Sequence, residues 1–264
     1  DRIDDSISIP VERIKAIRTI LELIHNDKDI ISSRKKNKLL IDAHYYISNE
    51  YFEIKNYSKA IEYCNEALEL DSTEAKTYFN RATIYHAMEK DSLATSDYTT
   101  AITLNDNYAE AYFNRGIIYE KDQKYEQALE DYNKAIKQSP KFIADVYNNR
   151  GNIHLALSDS SKALDDYSKV IDIDTTNINA YTNRANIYIR QKDFKSALED
   201  CNRGIRIDST YIRLYYQRAE TYKQIKDYNN AIKDYKKLLI LDNNNQHKIQ
   251  ESIKNLHALT RRRE

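Results

Sequence analysis

A five-residue motif recurs along the chain at nearly constant spacing, and this repetition limits the possible folds more than any other feature. The motif has the form Tyr, any residue, Asn or Gln, Arg and a small residue, and a degenerate copy begins at His44. The copies that carry the Arg begin at Tyr78, Tyr112, Tyr147, Tyr181 and Tyr215, in steps of 34, 35, 34 and 34 residues. Periods of this length are typical of stacked supersecondary units, so the sequence predicts an array rather than a single globular core.

A second set of positions keeps the same frame. Twelve residues after the small residue of each motif stands an alanine, and four residues later an aromatic residue or a cysteine. These alanines are Ala60, Ala94, Ala128, Ala163, Ala197 and Ala231, and each is followed in turn by Cys64, Tyr98, Tyr132, Tyr167, Cys201 or Tyr235. Two amphipathic helices per unit explain the pattern, because small residues let the axes of paired helices approach closely. The chain has only Gly 3 and Pro 2, which favours helices joined by short polar turns.

The period and the frame of small and aromatic residues resemble the tetratricopeptide repeat family over about three-quarters of the chain. The unit at 109–142 resembles the family pattern most, whereas Asp91 and Ser160 stand where that unit has Tyr125. The resemblance implies an all-α fold, a right-handed superhelical α-solenoid of helix-turn-helix repeats. The predicted repeats are 41–74, 75–108, 109–143, 144–177, 178–211 and 212–245.

The segments that flank the repeats are predicted to cap the array, because terminal repeats otherwise expose an apolar face. Residues 1–40 form an N-terminal capping helix and a lead-in, with Pro10 suited to a first helical turn. A second helix is expected to begin near Ser33 and to continue into the first repeat. Residues 246–264 form a C-terminal capping helix and a basic tail.

Each of the five repeats with an arginine carries an aspartate sixteen residues later. The pairs are Arg81 and Asp97, Arg115 and Asp131, Arg150 and Asp166, Arg184 and Asp200, and Arg218 and Asp234. In the first repeat the corresponding residues are Ile47 and Tyr63, so the two charges are present together or absent together. This joint loss favours a bidentate pair between the two helices of one repeat over a row of arginines that binds an anionic partner. An ion pair between repeats stays open.

The residue before each of these arginines is an asparagine or, in the last repeat, a glutamine. An amide offers both a donor and an acceptor, which suits it to hold a peptide backbone without reading its sequence. The first helices line the inside of the superhelix in the family, and a row of asparagines there resembles that of other superhelical members. The predicted peptide-binding residues are Asn80, Asn114, Asn149, Asn183 and Gln217, extended by Asn152 and Asn186. The alternatives are a solvated polar face and asparagines that bond to an adjacent repeat.

Composition removes several other classes of function. Lys+Arg 41 balances Asp+Glu 41, so the basic excess of nucleic-acid-binding proteins is missing. The apolar stretches are too short to span a bilayer, and no signal peptide is visible, although the chain begins at Asp1. Cys64 and Cys201 have no metal-ligand spacing, and the histidines are scattered, so no catalytic residue, metal or cofactor is expected. A cytoplasmic location is slightly favoured, and an exported form stays open.

The sequence therefore predicts a non-enzymatic scaffold that binds an extended peptide of a protein partner. Two alternatives remain open at this point. The chain is a structural scaffold that self-associates into a homo-oligomer or organises a complex, or it is the substrate-docking part of a larger enzyme.

Overall fold

The computed structural model describes residues 5–26 and 33–261, and all regular secondary structure in these residues is α-helical. The helices are α1 Asp5–Asn26, α2 Ser33–Glu53, α3 Tyr57–Leu70, α4 Ala75–Ala87, α5 Asp91–Leu104, α6 Ala109–Lys121, α7 Tyr125–Lys137, α8 Ile143–Ala156, α9 Ser160–Ile173, α10 Ile178–Arg190, α11 Phe194–Ile207, α12 Ile212–Gln224, α13 Tyr228–Leu241 and α14 Gln246–Arg261. None of the described helices is long and apolar enough to cross a membrane.

Successive helices pack in pairs within two compact units, Asp1–Pro140 and Lys141–Glu264. In the first unit α1 packs on α2, and the pairs α2–α3, α4–α5 and α6–α7 form three repeats. In the second unit the pairs α8–α9, α10–α11 and α12–α13 form three more, and α14 packs on α13. The first helices of neighbouring repeats also touch, α2 with α4 in one unit and α10 with α12 in the other. The predicted all-helical array of helix pairs is confirmed.

The contact within each pair is built around the small residues of the repeat frame. All six alanines of the second helices, such as Ala128, are fully buried. Gly116 of α6 lies so close to α7 that an added Cβ would meet ring carbon Cε1 of Tyr132 at 2.6 Å. The ring of Tyr132 is itself completely buried. Small residues therefore face tyrosines across the interface, which lets the two helices approach closely.

The turn between the two helices of a repeat has the same backbone form each time. Two residues after the end of the first helix stands a residue with positive φ, such as Gln123 with φ 58°. The residue that follows it donates its backbone N–H into the last turn of the helix. In the third repeat Lys124 N–H donates to the carbonyl of Tyr119 at 2.8 Å. This is the six-to-one bond of a Schellman motif, which satisfies a carbonyl that the ending helix leaves unpaired. The residues with positive φ at these turns are Lys55, Glu89, Gln123, Ser158, Lys192 and Lys226.

Candidate functional site

In the first unit, the predicted amides are held by hydrogen bonds to the preceding repeat. Asn80 on α4 is only 7% exposed, and its Nδ2 donates to the Ser48 hydroxyl at 3.1 Å. Asn114 on α6 is half-buried, and its Nδ2 donates to the Tyr98 hydroxyl at 3.2 Å. Tyr98 also bonds to Thr83 Oγ1 at 3.1 Å. The hydroxyl chain behind Asn114 fixes the orientation of its amide.

In the second unit, a different arrangement fixes the amide of α10. Asn183 Nδ2 donates to Asn152 Oδ1 at 3.2 Å, and the Tyr167 hydroxyl donates to the same oxygen at 2.8 Å. Asn149 and Asn186 are half-buried, and neither side chain forms a hydrogen bond with any other residue that the structure describes. The four asparagines thus lie on α8 and α10, two of them with their whole hydrogen-bonding capacity available.

The glutamine that ends the predicted row behaves differently. Gln217 Nε2 donates to the backbone carbonyl of Thr182 at 3.1 Å, whereas its Oε1 is buried without a partner in the described part of the chain. Its amide therefore links α12 to α10 instead of standing free on the surface. Four of the five amides in the row, Asn80, Asn114, Asn183 and Gln217, donate to the preceding repeat. This is one of the alternatives that the sequence left open, and it leaves Asn114 and Asn183 partly exposed.

Aromatic side chains flank the amides in the first unit. Phe79 on α4 stacks on Tyr108 with ring centroids 4.9 Å apart. On α2, Tyr45 lies under the Lys76 ammonium, which is 3.7 Å from the ring centroid, and Tyr46 is 57% exposed. None of these four aromatic residues is among the predicted peptide-binding residues. The signal was present, because Tyr45, Phe79 and Phe113 share one frame position.

The arginines of the motif pair internally, as the joint presence of both charges predicted. Arg115 Nε and Nη2 donate to the two carboxylate oxygens of Asp131 at 2.8 and 2.7 Å. All five pairs have this bidentate geometry, with the Asp side chains at most 10% exposed. A further donor, Arg115 Nη1, reaches Thr99 Oγ1 of the preceding repeat at 2.9 Å. Guanidinium groups satisfied in this way do not form a row that binds an anionic partner.

The two cysteines are buried within the helix pairs. Burial raises the pKa of the Cys64 thiol to about 11 and that of Cys201 to about 12. A thiol is a nucleophile only as the thiolate, and at neutral pH both groups are therefore protonated and inert. The described residues also contain no group of three or more His, Cys, Asp and Glu placed to hold a metal ion.

Comparison with known proteins gives the same family throughout the repeats. Two family models, both of the tetratricopeptide repeat, match the chain: one at residues 41–74, 109–142, 144–177 and 178–211, the other at 75–108 and 212–245. No curated protein sequence matches the chain.

Several solved structures share the fold at low sequence identity. The C-terminal part of a TPR repeat-containing protein from Cytophaga hutchinsonii superposes with a TM-score of 0.70 at 16% identity, covering 91% of this chain and 99% of that one. Pseudomonas aeruginosa PilF gives 0.68 at 16%, with coverages of 84% and 98%. YrrB, described as a TPR protein with an unusual peptide-binding site, gives 0.63 at 18%, with coverages of 73% and 97%.

Proposed function

Because the chain belongs to the tetratricopeptide repeat family, we propose that it is a non-enzymatic scaffold that binds an extended peptide of a partner protein on the first helices of its repeats. The observation that carries this proposal is the anchoring of half-exposed amides. In Asn114 and Asn183 one N–H is fixed by the preceding repeat, while the amide oxygen has no partner among the described residues. An oxygen held in place in this way accepts a peptide N–H with little further loss of side-chain entropy.

Exposure decides which of the predicted amides take part. Asn114, Asn149, Asn183 and Asn186 are half-buried, so each presents polar atoms to a ligand. Asn80 is nearly covered, and Gln217 uses its amide between two repeats, so both support the surface from behind. Asn152 accepts two hydrogen bonds and orients Asn183.

The strength of these contacts limits what the amides do alone. The three half-buried amides of the second unit, at about 0.5–1.5 kcal/mol for each hydrogen bond, give roughly 2–5 kcal/mol before the cost of association. A micromolar complex requires about 8 kcal/mol. Apolar contact must supply the remainder, and in the first unit aromatic side chains lie near the amides. Tyr46, Phe79 and Tyr108 offer rigid ring faces, which bury aliphatic or proline side chains at little entropic cost.

The likeness to YrrB supports the same function, since its structure is described as having a peptide-binding site. At 18% identity the likeness concerns the fold alone. The argument for peptide binding therefore depends on the residues of this chain. Buried thiols without nucleophilic character, together with the internally paired arginines, favour binding over catalysis.

A peptide array tests the proposal, with wild type compared against the Asn149→Ala/Asn186→Ala double variant. Neither side chain has a hydrogen bond within the described chain, so their removal changes the surface and leaves the fold intact. We expect peptide binding to weaken by about tenfold. Asn229→Ala, at an exposed position on the second helix of the last repeat, is the matched control and should bind as wild type does. Equal binding by the double variant would overturn the role of the amides.

A further inference from the structure

Charge is distributed very unevenly between the two ends of the repeat array. The first repeat, 41–74, carries eight acidic and two basic residues, whereas the last repeat and the segment after it, 212–264, carry twelve basic and six acidic residues. These counts give the two ends net charges of −6 and +6, although the chain as a whole has a net charge of +0. The segment 1–40 is nearly balanced, with nine basic and seven acidic residues.

The acidic end contains an open cavity of about 480 Å³ between α1, α2 and α3. Its apolar side is formed by Leu21, Leu40 and Leu70, and its polar side by His44, Glu66 and Glu69. The Glu66 side chain is 43% exposed. Its pKa is raised by partial burial and by the neighbouring carboxylates of Glu62 and Glu69. Carboxylates that repel one another in this way gain stability when a cation arrives.

Exposed apolar side chains occur at both ends, as they do in the repeats between them. Among the described residues, the two most exposed large hydrophobic side chains are Ile240 on α13 at 73% and Leu23 on α1 at 66%. Leu259 near the end of α14 is 41% exposed, and the basic run Arg261, Arg262 and Arg263 follows it in the sequence. One end therefore has an apolar cavity with an acidic rim, and the other a helix end with an exposed leucine that precedes three arginines in the sequence.

We propose that copies of this chain associate head to tail, with Leu259 and the following arginines of one copy seated in the cavity of Leu21, Leu40, Leu70, Glu66 and Glu69 of the next. The leucine fills the apolar side, and the arginines meet the two glutamates. The interface is heterologous, because the two surfaces differ. A cavity of this size holds few side chains, so the association is weak. It is also salt-dependent, because exposed arginines and glutamates attract each other across the interface. It leaves the amide surface of the first helices unoccupied and is independent of the proposed peptide binding.

Sedimentation velocity of the full chain, in low and high salt, measures the association directly. A concentration series from about 5 to about 200 μM spans the range in which weak interfaces form. We expect the mean sedimentation coefficient to rise with concentration in low salt and to stay constant in high salt. A wild-type chain that remains monomeric throughout the low-salt series would overturn the proposal, and so would closure of the tail on its own copy, which does not depend on concentration.

Charge reversal locates the interface. The acid-side variant Glu66→Lys/Glu69→Lys and the tail variant Arg261→Glu/Arg262→Glu/Arg263→Glu should each be monomeric, and an equal mixture of the two should associate again. The control Glu126→Lys/Glu130→Lys changes the same charge at exposed positions on α7. This control should self-associate as wild type does. When it is mixed with the tail variant, it should associate no more strongly than a mixture of wild type and the tail variant. If the control behaves as the acid-side variant, the attraction is not located in the cavity. Circular dichroism of each variant confirms that it is folded.

Discussion

The first repeat and the five repeats that follow it join their two helices differently, by apolar contact in the first repeat and by an ion pair in the others. In the later repeats, the two helices are joined by a buried pair such as Arg115 and Asp131. In the first repeat, Ile47 is fully buried, and Tyr63 stacks on Tyr51 with centroids 5.5 Å apart. Ile47 and Tyr51 share an apolar cluster with Ile14 of α1.

The reason for the difference lies in what precedes each repeat. A guanidinium has five N–H donors, and the aspartate of its own repeat accepts only two of them. Arg81, Arg115, Arg184 and Arg218 each direct Nη1 to a side chain of the preceding repeat, the acceptors being Asn65, Thr99, Ser168 and Asn202. The first repeat is preceded by α1, which packs the apolar Ile14 against the cluster of Ile47 and donates from Arg18 to the Tyr63 hydroxyl at 3.2 Å. Neither group is an acceptor for an arginine at position 47. An arginine there would be buried with its donors only partly satisfied, so an apolar pair is the stable solution.

Placing the arginine of the later repeats in the first repeat should change the free energy of unfolding most. Ile47→Arg buries an unpaired charge at a site that is 0% exposed and removes an apolar core residue, so we expect a loss of at least about 4 kcal/mol in the free energy of unfolding. Adding Tyr63→Asp should recover part of that loss. Urea unfolding followed by circular dichroism measures both, with Ile47→Val, at about 1 kcal/mol, as the control. A double variant no more stable than the single one would contradict the pairing argument.

Replacing the ion pair of the fifth repeat by the apolar residues of the first repeat should destabilise the fold less than removing one partner of the pair. Arg184→Ala or Asp200→Ala leaves a buried charge alone, which destabilises the fold by about 3 kcal/mol. Arg184→Ile/Asp200→Tyr imports the first repeat's residues and should lose less than either single change, because an apolar pair needs no partner. Chemical denaturation of the three variants gives the comparison. If the double variant is the least stable of the three, the ion pair stabilises the fold beyond offsetting the cost of burying its two charges.

Helix caps differ between the first and second repeats on a smaller scale. Asn56 caps α3 by accepting the N–H of Lys59, whereas Lys90, the N-cap residue of α5, makes no side-chain cap hydrogen bond. Lys90→Asn should stabilise the protein by about 1 kcal/mol, and Asn56→Ala should destabilise it by a similar amount. Thermal unfolding detects changes of this size as shifts of a few degrees. An unchanged melting temperature for both variants would show that the turns contribute little.

The smallest expected effect concerns pH and the fourth repeat. His154 occupies the position that is Tyr51 in the first repeat, and burial lowers its pKa below the ordinary 6.5. The unfolded chain therefore binds a proton at higher pH than the folded chain does. The stability contribution is complete above about 6.5 and is lost as the pH falls through that value toward the lower folded pKa. Unfolding measured from pH 8 to 5 should show less loss in His154→Tyr than in wild type, by less than about 1 kcal/mol.

Much of the candidate site was visible in the repeat frame. Asn114, Asn149 and Asn183 stand out because an asparagine repeats at one helical position where its propensity is poor. The frame did not reveal that Asn80 is buried or that Gln217 bonds to a backbone carbonyl. Those outcomes depend on the neighbours across the repeat interface, Ser48 in one case and Thr182 in the other. Tyr108 was also missed, since it lies outside the first helix and meets Phe79 only after folding.

By itself the sequence determined the helix pairs, their number and the internal pairing of five arginines. These features follow from periodic residue spacing and from the joint presence of two opposite charges, and both can be read along the chain. The tertiary structure alone decided which amides remain exposed, which donors reach the preceding repeat, and where a cavity with an acidic rim opens between α1, α2 and α3. Burial and hydrogen-bond partners of a side chain depend on residues about thirty positions away, and no local pattern specifies those distances.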